Sequence, residues 1–418
     1  MRASPVLEGI VMPQRFDIVI IGNSAAGLQA IRTIRRNSSQ TTIALIDREG
    51  CPAYSRVLTP HYIGGKTGKD HLYLVDHTFY SDSAVTPFFG QAATRIDVTR
   101  HEVQLADGAT LGFGKLLLAL GSEARPFKEG MGRVSTLRHM ADAEKLESLL
   151  KSARSVTALG AGLVSVPVLS HLPPGVERHL VVGSDRIFSR LLDGESAALL
   201  EEHFVAAGVV LHKRDDITEV TEGERVELAL ASGKRLTTDA LLVGKGVTPN
   251  TKLARDAGLA VGDGILIDDF CRTDHPDIFA AGDAAEGKDY VTGAKTVQGN
   301  WITAVEQGEH AALNMLGLEC AYGGSMKNNI TEVFGLDVAV IGYCFDDAAQ
   351  TVTAGNRSIG RFRKVFLDEK QRIIGASLIG ETNDSGVYYQ MIRARALFPG
   401  MKMLQATNSH AAFMRQIA

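Results

Sequence analysis

The chain has 418 residues, too many for one hydrophobic core, so two or three domains are expected. Hydrophobic residues make up 45% and charged residues 22%, and no run of about 18 apolar residues is long enough to span a membrane. These values are typical of a globular protein, and a net charge of −4 gives no reason to expect nucleic acid as a partner.

The chain begins with MRASPVLEGIVMPQR, which lacks the charged and then apolar pattern of a secretory signal. These residues are predicted to form a short surface tail in front of the first strand. Secretion is therefore not expected, and the protein is predicted to be cytoplasmic.

The first apolar segment predicts a strand, a tight turn and a helix. In DIVIIGNSAAGLQAI the strand turns at Gly22 and the helix begins near Ser24. Glycine at position 22 permits the turn, and Gly27 lets the helix lie close on the strand, so that backbone N–H groups face a pyrophosphate. About 20 residues later the strand IALID ends in Asp47, from where an acidic side chain reaches a ribose hydroxyl. The pattern therefore predicts a dinucleotide site.

Changes in the strand and helix pattern divide the chain into three predicted units. Residues 1–123 alternate short apolar strands with polar helices, as in a doubly wound α/β domain, and residues 247–325 return to the same domain. Residues 124–246 repeat the strand–turn–helix–strand pattern. Residues 326–418 contain strand-like runs and a helix near 387–397, and are predicted to form a smaller α+β unit.

A second glycine-rich turn, GAGLVS, predicts a second nucleotide site with an incomplete motif. Gly160 and Gly162 fit G-x-G-x-x-G, but Ser165 replaces the third glycine. After the next strand, Asp185 favours NAD(H) because it can reach a ribose, whereas Arg186 favours NADP(H) because it can pair with a 2′-phosphate. We expect NAD(H), and a degenerate site is the alternative. The residues predicted to line this site are Gly160, Gly162, Leu163, Val164, Ser165, Asp185, Arg186 and Gly246.

Five motifs in order resemble those of the FAD- and NAD(P)-dependent pyridine nucleotide-disulfide oxidoreductase superfamily, and in particular its rubredoxin, ferredoxin and nitrite reductase branch. They are GNSAAG (22–27), LLLALGSEARP (116–126), LGAGLVS (159–165), LLVGKGVTPNT (241–251) and IFAAGDAAE (278–286). The resemblance covers nearly the whole chain. It implies two Rossmann-like domains, one for FAD and one for NAD(P), and a C-terminal α+β interface domain.

The resemblance also implies how FAD is held. Asp283 would meet the ribityl chain, Asp47 the ribose and Arg48 the adenine. The full set of residues implied for FAD is Gly22, Ser24, Ala25, Ala26, Gly27, Asp47, Arg48, Ser55, Arg56, Ala93, Ala119, Gly121, Gly282 and Asp283.

The segment CPAYSRVLTPHYIGGK (51–66) resembles the Y-N-R-x-x-L-S segment of the same branch. Relatives that reduce disulfides carry redox cysteines here, but this chain has Arg56 to Thr59 at those positions, and its first cysteine comes too early. None of the cysteines forms C-x-x-C, so reduced thiols are expected, rather than an iron–sulfur cluster or a redox disulfide. The cysteines are Cys51, Cys271, Cys320 and Cys344.

Two side chains are candidates for tuning the flavin. Arg56 would stabilise the anionic reduced ring, or else is an ordinary surface arginine. Trp301, the sole tryptophan, would shield the ring or contact a partner, or else simply packs in the core. The histidines show no metal-ligand spacing, so no metal site is predicted, and Glu306 with His310 indicates a solvated helix face.

The implied reaction is hydride transfer between nicotinamide C4 and flavin N5, which needs alignment of the two rings and no catalytic side chain. Because no redox thiol is expected, the partner is predicted to be an iron–sulfur or rubredoxin-like protein or subunit. The resemblance extends to FAD subunits of phenylglyoxylate dehydrogenase and tungsten aldehyde oxidoreductase type. One alternative is a free-standing NAD(P)H-dependent rubredoxin or ferredoxin reductase, or an NADH oxidase. Another is a flavin-binding structural subunit with a degenerate nicotinamide site.

Overall fold

The computed structural model describes residues 13–128, 130–356 and 361–405. Most of the expected surface tail falls on residues 1–12 and lies outside the described residues, as do residues 406–418 of the expected third unit. Within the described ranges, no helix is both long and apolar enough to cross a bilayer.

A mainly parallel sheet forms from the first part of the chain. The elements of this part are β1 (Gln14–Ile21), β2 (Ile43–Asp47), β3 (Val85–Phe89), β4 (Ala93–Asp97), β5 (Glu102–Leu105), β6 (Thr110–Leu118), β7 (Ser122–Ala124), α1 (Ala25–Asn37), α2 (Thr59–Ile63) and α3 (Thr78–Asp82). The strand order is β3-β2-β1-β6-β5-β4, parallel from β3 to β6 and antiparallel from β6 to β4. Buried side chains follow one another in β2 and the second half of β1, as expected for strands covered on both faces.

A second parallel sheet follows, with a small antiparallel sheet beside it. The elements are β8 (Val134–Ser135), β9 (Ser155–Leu159), β10 (Glu177–Val182), β11 (Val209–Lys213), β12 (Ile217–Glu222), β13 (Val226–Leu230), β14 (Arg235–Thr238), β15 (Ala240–Val243), α4 (Met140–Leu150), α5 (Ser165–His171) and α6 (Gly194–Ala206). The parallel order is β11-β10-β9-β15-β8, and the antiparallel order is β12-β13-β14. The second glycine motif forms the turn from β9 to α5, just as the first forms the turn from β1 to α1.

The chain then returns to the first sheet. The elements are β16 (Val247–Pro249), β17 (Ile265–Leu266), β18 (Ile278–Ala280), β19 (Ala285–Lys288), β20 (Lys295–Thr296), α7 (Lys252–Asp256) and α8 (Trp301–Met315). β18 pairs in parallel with β6, and β16 pairs with β7. α8 lies so close to α1 that a Cβ at Gly308 would come within 2.3 Å of the Ala26 carbonyl oxygen.

The C-terminal strands form an antiparallel sheet in the order β21-β22-β25-β24-β23. The elements are β21 (Asn328–Val333), β22 (Leu336–Gly342), β23 (Gln350–Asn356), β24 (Arg361–Leu367), β25 (Ile373–Ile379), α9 (Ser385–Arg393) and α10 (Met401–Gln405). One face of this sheet contributes Val338, Phe362 and Phe366 to the same hydrophobic cluster as Val166 and Leu200 of the second parallel sheet's helices. The C-terminal sheet and the second nucleotide fold therefore share a core.

The architecture confirms the expected α/β class, with two strand–turn–helix nucleotide folds and a C-terminal α+β portion. The pairing of β18 with β6 brings a late part of the chain into the first sheet. The exact residue limits of the three units stay predictions.

Candidate functional site

A central cavity of about 1260 Å³ lies at the carboxyl ends of the first sheet and extends to α5 and β21. The residues implied for FAD line this cavity with the exception of Gly27, which lies behind the turn. Those that line it are Gly22, Ser24, Ala25, Ala26, Asp47, Arg48, Ser55, Arg56, Ala93, Ala119, Gly121, Gly282 and Asp283.

The turn after β1 requires glycine at two positions. Gly22 has a φ of +112°, and a Cβ there would lie 2.1 Å from the Ala119 carbonyl oxygen. A Cβ at Gly27 would lie 1.9 Å from the carbonyl oxygen of Gly22. Because both positions lack a side chain, the start of α1 lies directly on the turn. Ser24 precedes the helix, and the free backbone N–H groups of the first helical turn suit a diphosphate.

Asp47 ends β2 with its carboxylate at the cavity. Its oxygens accept hydrogen bonds from the backbone N–H groups of Asn23 at 2.9 Å and Glu49 at 2.9 Å. Burial raises the pKa of Asp47 to about 6, in spite of the hydrogen bond from Asn23. A ribose hydroxyl that donates to this carboxylate would compensate for the water that burial removes.

Asp283 joins two motifs that lie far apart in the chain. One of its oxygens accepts hydrogen bonds from the Ser122 hydroxyl and from the Arg138 guanidinium, each at 2.9 Å. The neighbouring Gly282 N–H donates to the Gln307 side chain at 2.8 Å. These contacts fix the carboxylate at the cavity wall.

A chain of charged side chains along the cavity wall was not predicted from the sequence. Glu49 accepts hydrogen bonds from Arg56 at 2.5 Å and from the Tyr54 hydroxyl at 2.9 Å. Burial alone would raise the pKa of Glu49, but the His139 ring, 3.4 Å away, and the Arg56 guanidinium hold it well below its ordinary value. His139 also contacts Glu123 at 2.7 Å, and the nearby carboxylate of Glu49 raises the pKa of His139.

Arg56 is therefore not an ordinary surface arginine. Its side chain is 24% exposed, it is paired with Glu49, and its guanidinium lies over the Tyr54 ring, 4.8 Å from the centroid. The surface alternative for Arg56 is wrong. Its proposed contact with the flavin ring stays a prediction.

The second glycine turn needs glycine at position 160 and leaves open space at position 162. Gly160 has a φ of +95°, and a Cβ there would lie 2.3 Å from the Gly244 carbonyl oxygen. At Gly162, an added Cβ would meet no described atom within 4 Å. Ser165 is fully buried, and a Cβ on Gly244 would come within 2.0 Å of its hydroxyl oxygen. The close packing that a third glycine usually allows is thus provided by Gly244 instead.

Fewer of the residues predicted for the second nucleotide line the central cavity than of those predicted for the first. Leu163 and Val164 line the central cavity. The other predicted residues, all within the described ranges, do not line it: Gly160, Gly162, Ser165, Asp185, Arg186 and Gly246. Asp185 is exposed, whereas Arg186 lies 3.4 Å from Asp346, in the loop between β22 and β23.

Two histidines at the cavity escaped the sequence prediction. His61 on α2 and His171 on α5 both line the cavity, and their rings lie 4.1 Å apart. Burial, together with the charges of His61 and Lys66, lowers the pKa of His171 to about 4. The sequence offered no signal for this pair, because the two helices are brought together only by the meeting of the two parallel sheets.

Trp301 lines the cavity as the first residue of α8, which Asn300 caps by accepting a hydrogen bond from the Thr303 N–H at 2.9 Å. Its place at the cavity is compatible with either shielding a ring or contacting a partner.

The prediction of a solvated face at Glu306 and His310 is wrong. Glu306 accepts hydrogen bonds from the Tyr322 hydroxyl at 2.9 Å, the Tyr389 hydroxyl at 2.5 Å and Arg393 at 3.1 Å. These contacts tie α8 to α9. These contacts join chain segments that are far apart in sequence, so the local i, i+4 pattern could not predict them.

Among the described residues that line the cavity, none is a cysteine. Cys51 lies outside this lining, and burial raises its pKa to about 11. A thiol of this kind is protonated at neutral pH and is a poor nucleophile.

Comparison with known proteins agrees with this geometry. The model of the family described as pyridine nucleotide-disulphide oxidoreductase matches residues 16–308. The chain is 29% identical over 385 residues to the NADH-dependent phenylglyoxylate dehydrogenase subunit epsilon of Aromatoleum evansii, over 90% of this chain and 91% of the relative. It is 30% identical to the rubredoxin-NAD(+) reductase of Pseudomonas putida, over 72% of this chain and 80% of that one.

The fold is also that of a ferredoxin reductase from Rhodopseudomonas palustris, with a TM-score of 0.87 and 24% identity over 95% of this chain and 99% of the other. The family model spans well over half of the chain and includes the first glycine turn, Asp47 and Asp283. The chain therefore belongs to the pyridine nucleotide-disulphide oxidoreductase family, whose members depend on FAD and NAD(P).

Proposed function

We propose that this chain is an FAD-dependent oxidoreductase that carries electrons between NAD(H) and an iron–sulfur or rubredoxin-like protein or subunit. The observation that carries the proposal is the central cavity itself. It brings the first glycine turn, Asp47 and Asp283 into one lining, which supports a site for FAD, and that described lining holds no thiol. Without a neighbouring thiolate, the covalent route to a disulfide substrate is closed.

The residues of the cavity suit the parts of FAD. The turn at Gly22 and the start of α1 would hold the diphosphate, Asp47 the ribose, and Asp283 the ribityl chain. When bound, FAD would supply the group that exchanges a hydride with nicotinamide and electrons with the partner. The protein's own part is to orient the two cofactors and to exclude water between them.

We further propose that the chain works as the NAD(H)-linked flavin subunit of a larger complex. The support is the likeness to the phenylglyoxylate dehydrogenase subunit epsilon, which extends over nearly the full length of both chains. The likeness to rubredoxin-NAD(+) reductase supports a free-standing reductase as the second candidate. Co-purification of a protein with cysteine clusters favours the subunit, and its absence favours the free-standing enzyme. The predicted cytoplasmic location stays a prediction.

NAD(H) is proposed over NADP(H). Asp185 is exposed beside the end of β10, where an acidic side chain reaches the adenosine ribose, and Arg186 is already paired with Asp346. The relative from Aromatoleum evansii is named as NADH-dependent.

Anaerobic stopped-flow mixing of the FAD-loaded protein with NADH tests this function. Loss of the flavin absorbance, followed by its return when oxidised rubredoxin or ferredoxin is added, is the expected result. A protein that binds no FAD, or a thiol–flavin charge-transfer band on reduction, contradicts the proposal. Bound FAD that NADH cannot reduce identifies a flavin-binding structural subunit instead.

A further inference from the structure

The loop after β10 folds back over the second glycine turn. The Phe188 N–H donates to the Ala161 carbonyl at 3.1 Å, and the Ser184 hydroxyl donates to the Arg186 carbonyl at 2.6 Å. These bonds hold Arg186 beside the turn, where the residues that follow the second strand of a nucleotide fold contact the adenosine ribose. Arg186 is therefore placed to meet a 2′-phosphate if its guanidinium is free.

The guanidinium of Arg186 is engaged by a carboxylate from another part of the chain. Its Nη2 lies 3.4 Å from an oxygen of Asp346, which stands between β22 and β23. The two oxygens of Asp346 also lie 3.2 Å and 3.3 Å from the N–H of Gly194, the first residue of α6. A helix N-terminus and a cation thus contact this carboxylate from two sides, and the rest of the Asp346 side chain, 56% exposed, faces solvent.

The Arg186 side chain has donor capacity left over. Its Nε is buried and has no hydrogen-bond partner among the described residues. The side chain is only 28% exposed, so water does not fully replace such a partner. A phosphate, which pairs strongly with an arginine side chain, would compete with Asp346 for the Nη2 end of this guanidinium.

The position of Asp346 is set by the packing of the C-terminal sheet on the second nucleotide fold. Lys364 of β24 pairs with Asp193 at 2.5 Å and with Glu195 at 2.9 Å, just before and within α6. The Ser196 and Ser377 hydroxyls lie 3.0 Å apart across the same boundary. Asp346 therefore reaches the nucleotide loop from a neighbouring unit that is firmly attached.

We propose that Asp346 determines the choice between NAD(H) and NADP(H). It pairs with Arg186 and places a negative charge where the dianionic 2′-phosphate of NADP(H) would bind, so that it weakens NADP(H) both by competition and by repulsion. The 2′-hydroxyl of NAD(H) carries no charge and suffers neither effect. This inference rests on the proposed use of a nicotinamide dinucleotide, and it assigns the selectivity to a residue outside the nucleotide fold.

The test compares the full-length Asp346→Asn protein with wild type by calorimetric titration with NADP+ and with NAD+. Asparagine keeps the acceptor for the Gly194 N–H but removes the charge. The Kd for NADP+ is expected to fall by about tenfold, the effect of one charge-assisted contact, while the Kd for NAD+ changes by less than about twofold. Raising the salt concentration should reduce the gain, because phosphate pairing is screened.

Two further variants separate this role from a merely structural one. Asp347→Asn is the matched control, since Asp347 accepts from the Tyr343 hydroxyl at 2.7 Å instead of pairing with Arg186, and it should leave both Kd values unchanged. In the double variant Asp346→Asn/Arg186→Gln the gain for NADP+ should disappear. The inference would be overturned if the ratio of the Kd for NADP+ to the Kd for NAD+ were the same in Asp346→Asn and wild type. It would also be overturned if the tighter binding of NADP+ persisted in the double variant.

These binding measurements do not depend on turnover. A shifted preference in a protein whose flavin NADH cannot reduce would contradict the proposed function and leave this inference standing. Rapid flavin reduction by NADH, together with an unchanged preference between NADP+ and NAD+ in Asp346→Asn, would support the proposed function and contradict this inference.

Discussion

Asp47 shows how one side chain can couple cofactor binding to pH. Its pKa is raised from 3.8 to about 6 because burial penalises the charged carboxylate. A raised pKa means that the folded apoprotein binds the proton more tightly than the unfolded chain does. The stability that Asp47 contributes is therefore fully present below about pH 3.8 and is lost as the pH rises through about 6.

If FAD binds as proposed, its affinity should follow the opposite trend, because a ribose hydroxyl would donate to the ionised form of Asp47. We expect the affinity for FAD to fall about tenfold from neutral pH to about pH 5, one unit below the pKa. In Asp47→Asn the affinity at neutral pH should be about tenfold weaker, and this pH dependence should vanish. Quenching of flavin fluorescence measures both. The control Asp17→Asn, whose carboxylate bonds Thr42 away from the cavity, should keep the wild-type profile.

Gly162 allows a second test at the level of one residue. A Cβ at this position meets no described atom within 4 Å, so Gly162→Glu should fold normally and place a carboxylate where the diphosphate of NAD(H) is proposed to pass. We expect the KM for NADH to rise at least about tenfold, since like charges repel at close range, while FAD stays bound.

Gly386→Glu is the matched control for that variant, because position 386 on α9 is equally open. It should leave both cofactors unaffected. An unchanged KM for NADH in Gly162→Glu would show that the diphosphate does not pass this turn.

At the scale of elements, the contact between α1 and α8 joins two parts of the cavity in which FAD is proposed to bind. Gly308 is the point of closest approach, and Ala26 lies opposite it at the cavity. α8 also carries Gln307, which accepts the Gly282 N–H, and Trp301 at its first turn. Any movement of α8 away from α1 should therefore disturb the cofactor as well as the fold.

The variant Gly308→Ala should lower the free energy of unfolding by roughly 1–3 kcal/mol, because its Cβ must displace the backbone of α1. The same variant should release FAD more readily on dilution. Gly386→Ala adds the same methyl group in open space on α9 and should change the free energy of unfolding by less than about 1 kcal/mol. Denaturant titration followed by flavin fluorescence measures both effects. Equal free energies of unfolding for the two variants would mean that α8 can move away from α1 without loss of stability.

The elements themselves were largely predictable, because each depends on a local pattern. The strand–turn–helix from β1 to α1 and the turn from β9 to α5 are determined by residues that are neighbours in the sequence. The role of Gly244 in replacing the third glycine was not predictable, since it depends on the fit of β15's end against Ser165.

The charged part of the site escaped prediction for the same reason. The bond from the Met140 N–H to Glu49 joins residues 91 positions apart, and the bond from the Gly194 N–H to Asp346 joins residues 152 apart. The role of a glycine or an acidic residue next to a strand can be predicted from neighbouring residues. The partner of a paired carboxylate cannot, because it comes into contact only when the units pack together.

At the scale of the whole molecule, the C-terminal sheet is attached to the second nucleotide fold by a core and by buried charges. Phe362 and Phe366 lie in the same hydrophobic cluster as Leu200 of α6. Beside them, Asp193 is fully buried and its carboxylate lies 2.5 Å from the Lys364 ammonium. Since the two units share this boundary, we expect them to unfold in one cooperative transition.

Removing one partner of this ion pair tests the attachment. Lys364→Met leaves the buried Asp193 carboxylate without its cation and should lower the free energy of unfolding by about 3–5 kcal/mol. The double variant Lys364→Met/Asp193→Asn removes the stranded charge and should recover at least half of that loss. Lys370→Met changes an exposed lysine and should stay within about 0.5 kcal/mol of wild type.

Urea titration followed by far-UV circular dichroism and by NADH binding separates the possible outcomes. If the units are joined as described, both signals of Lys364→Met shift together to lower urea. If the second nucleotide fold instead keeps its stability while the C-terminal sheet unfolds first, the two signals separate. In that case the buried pair does not bind the units into one body, and Asp346 would reach Arg186 only part of the time.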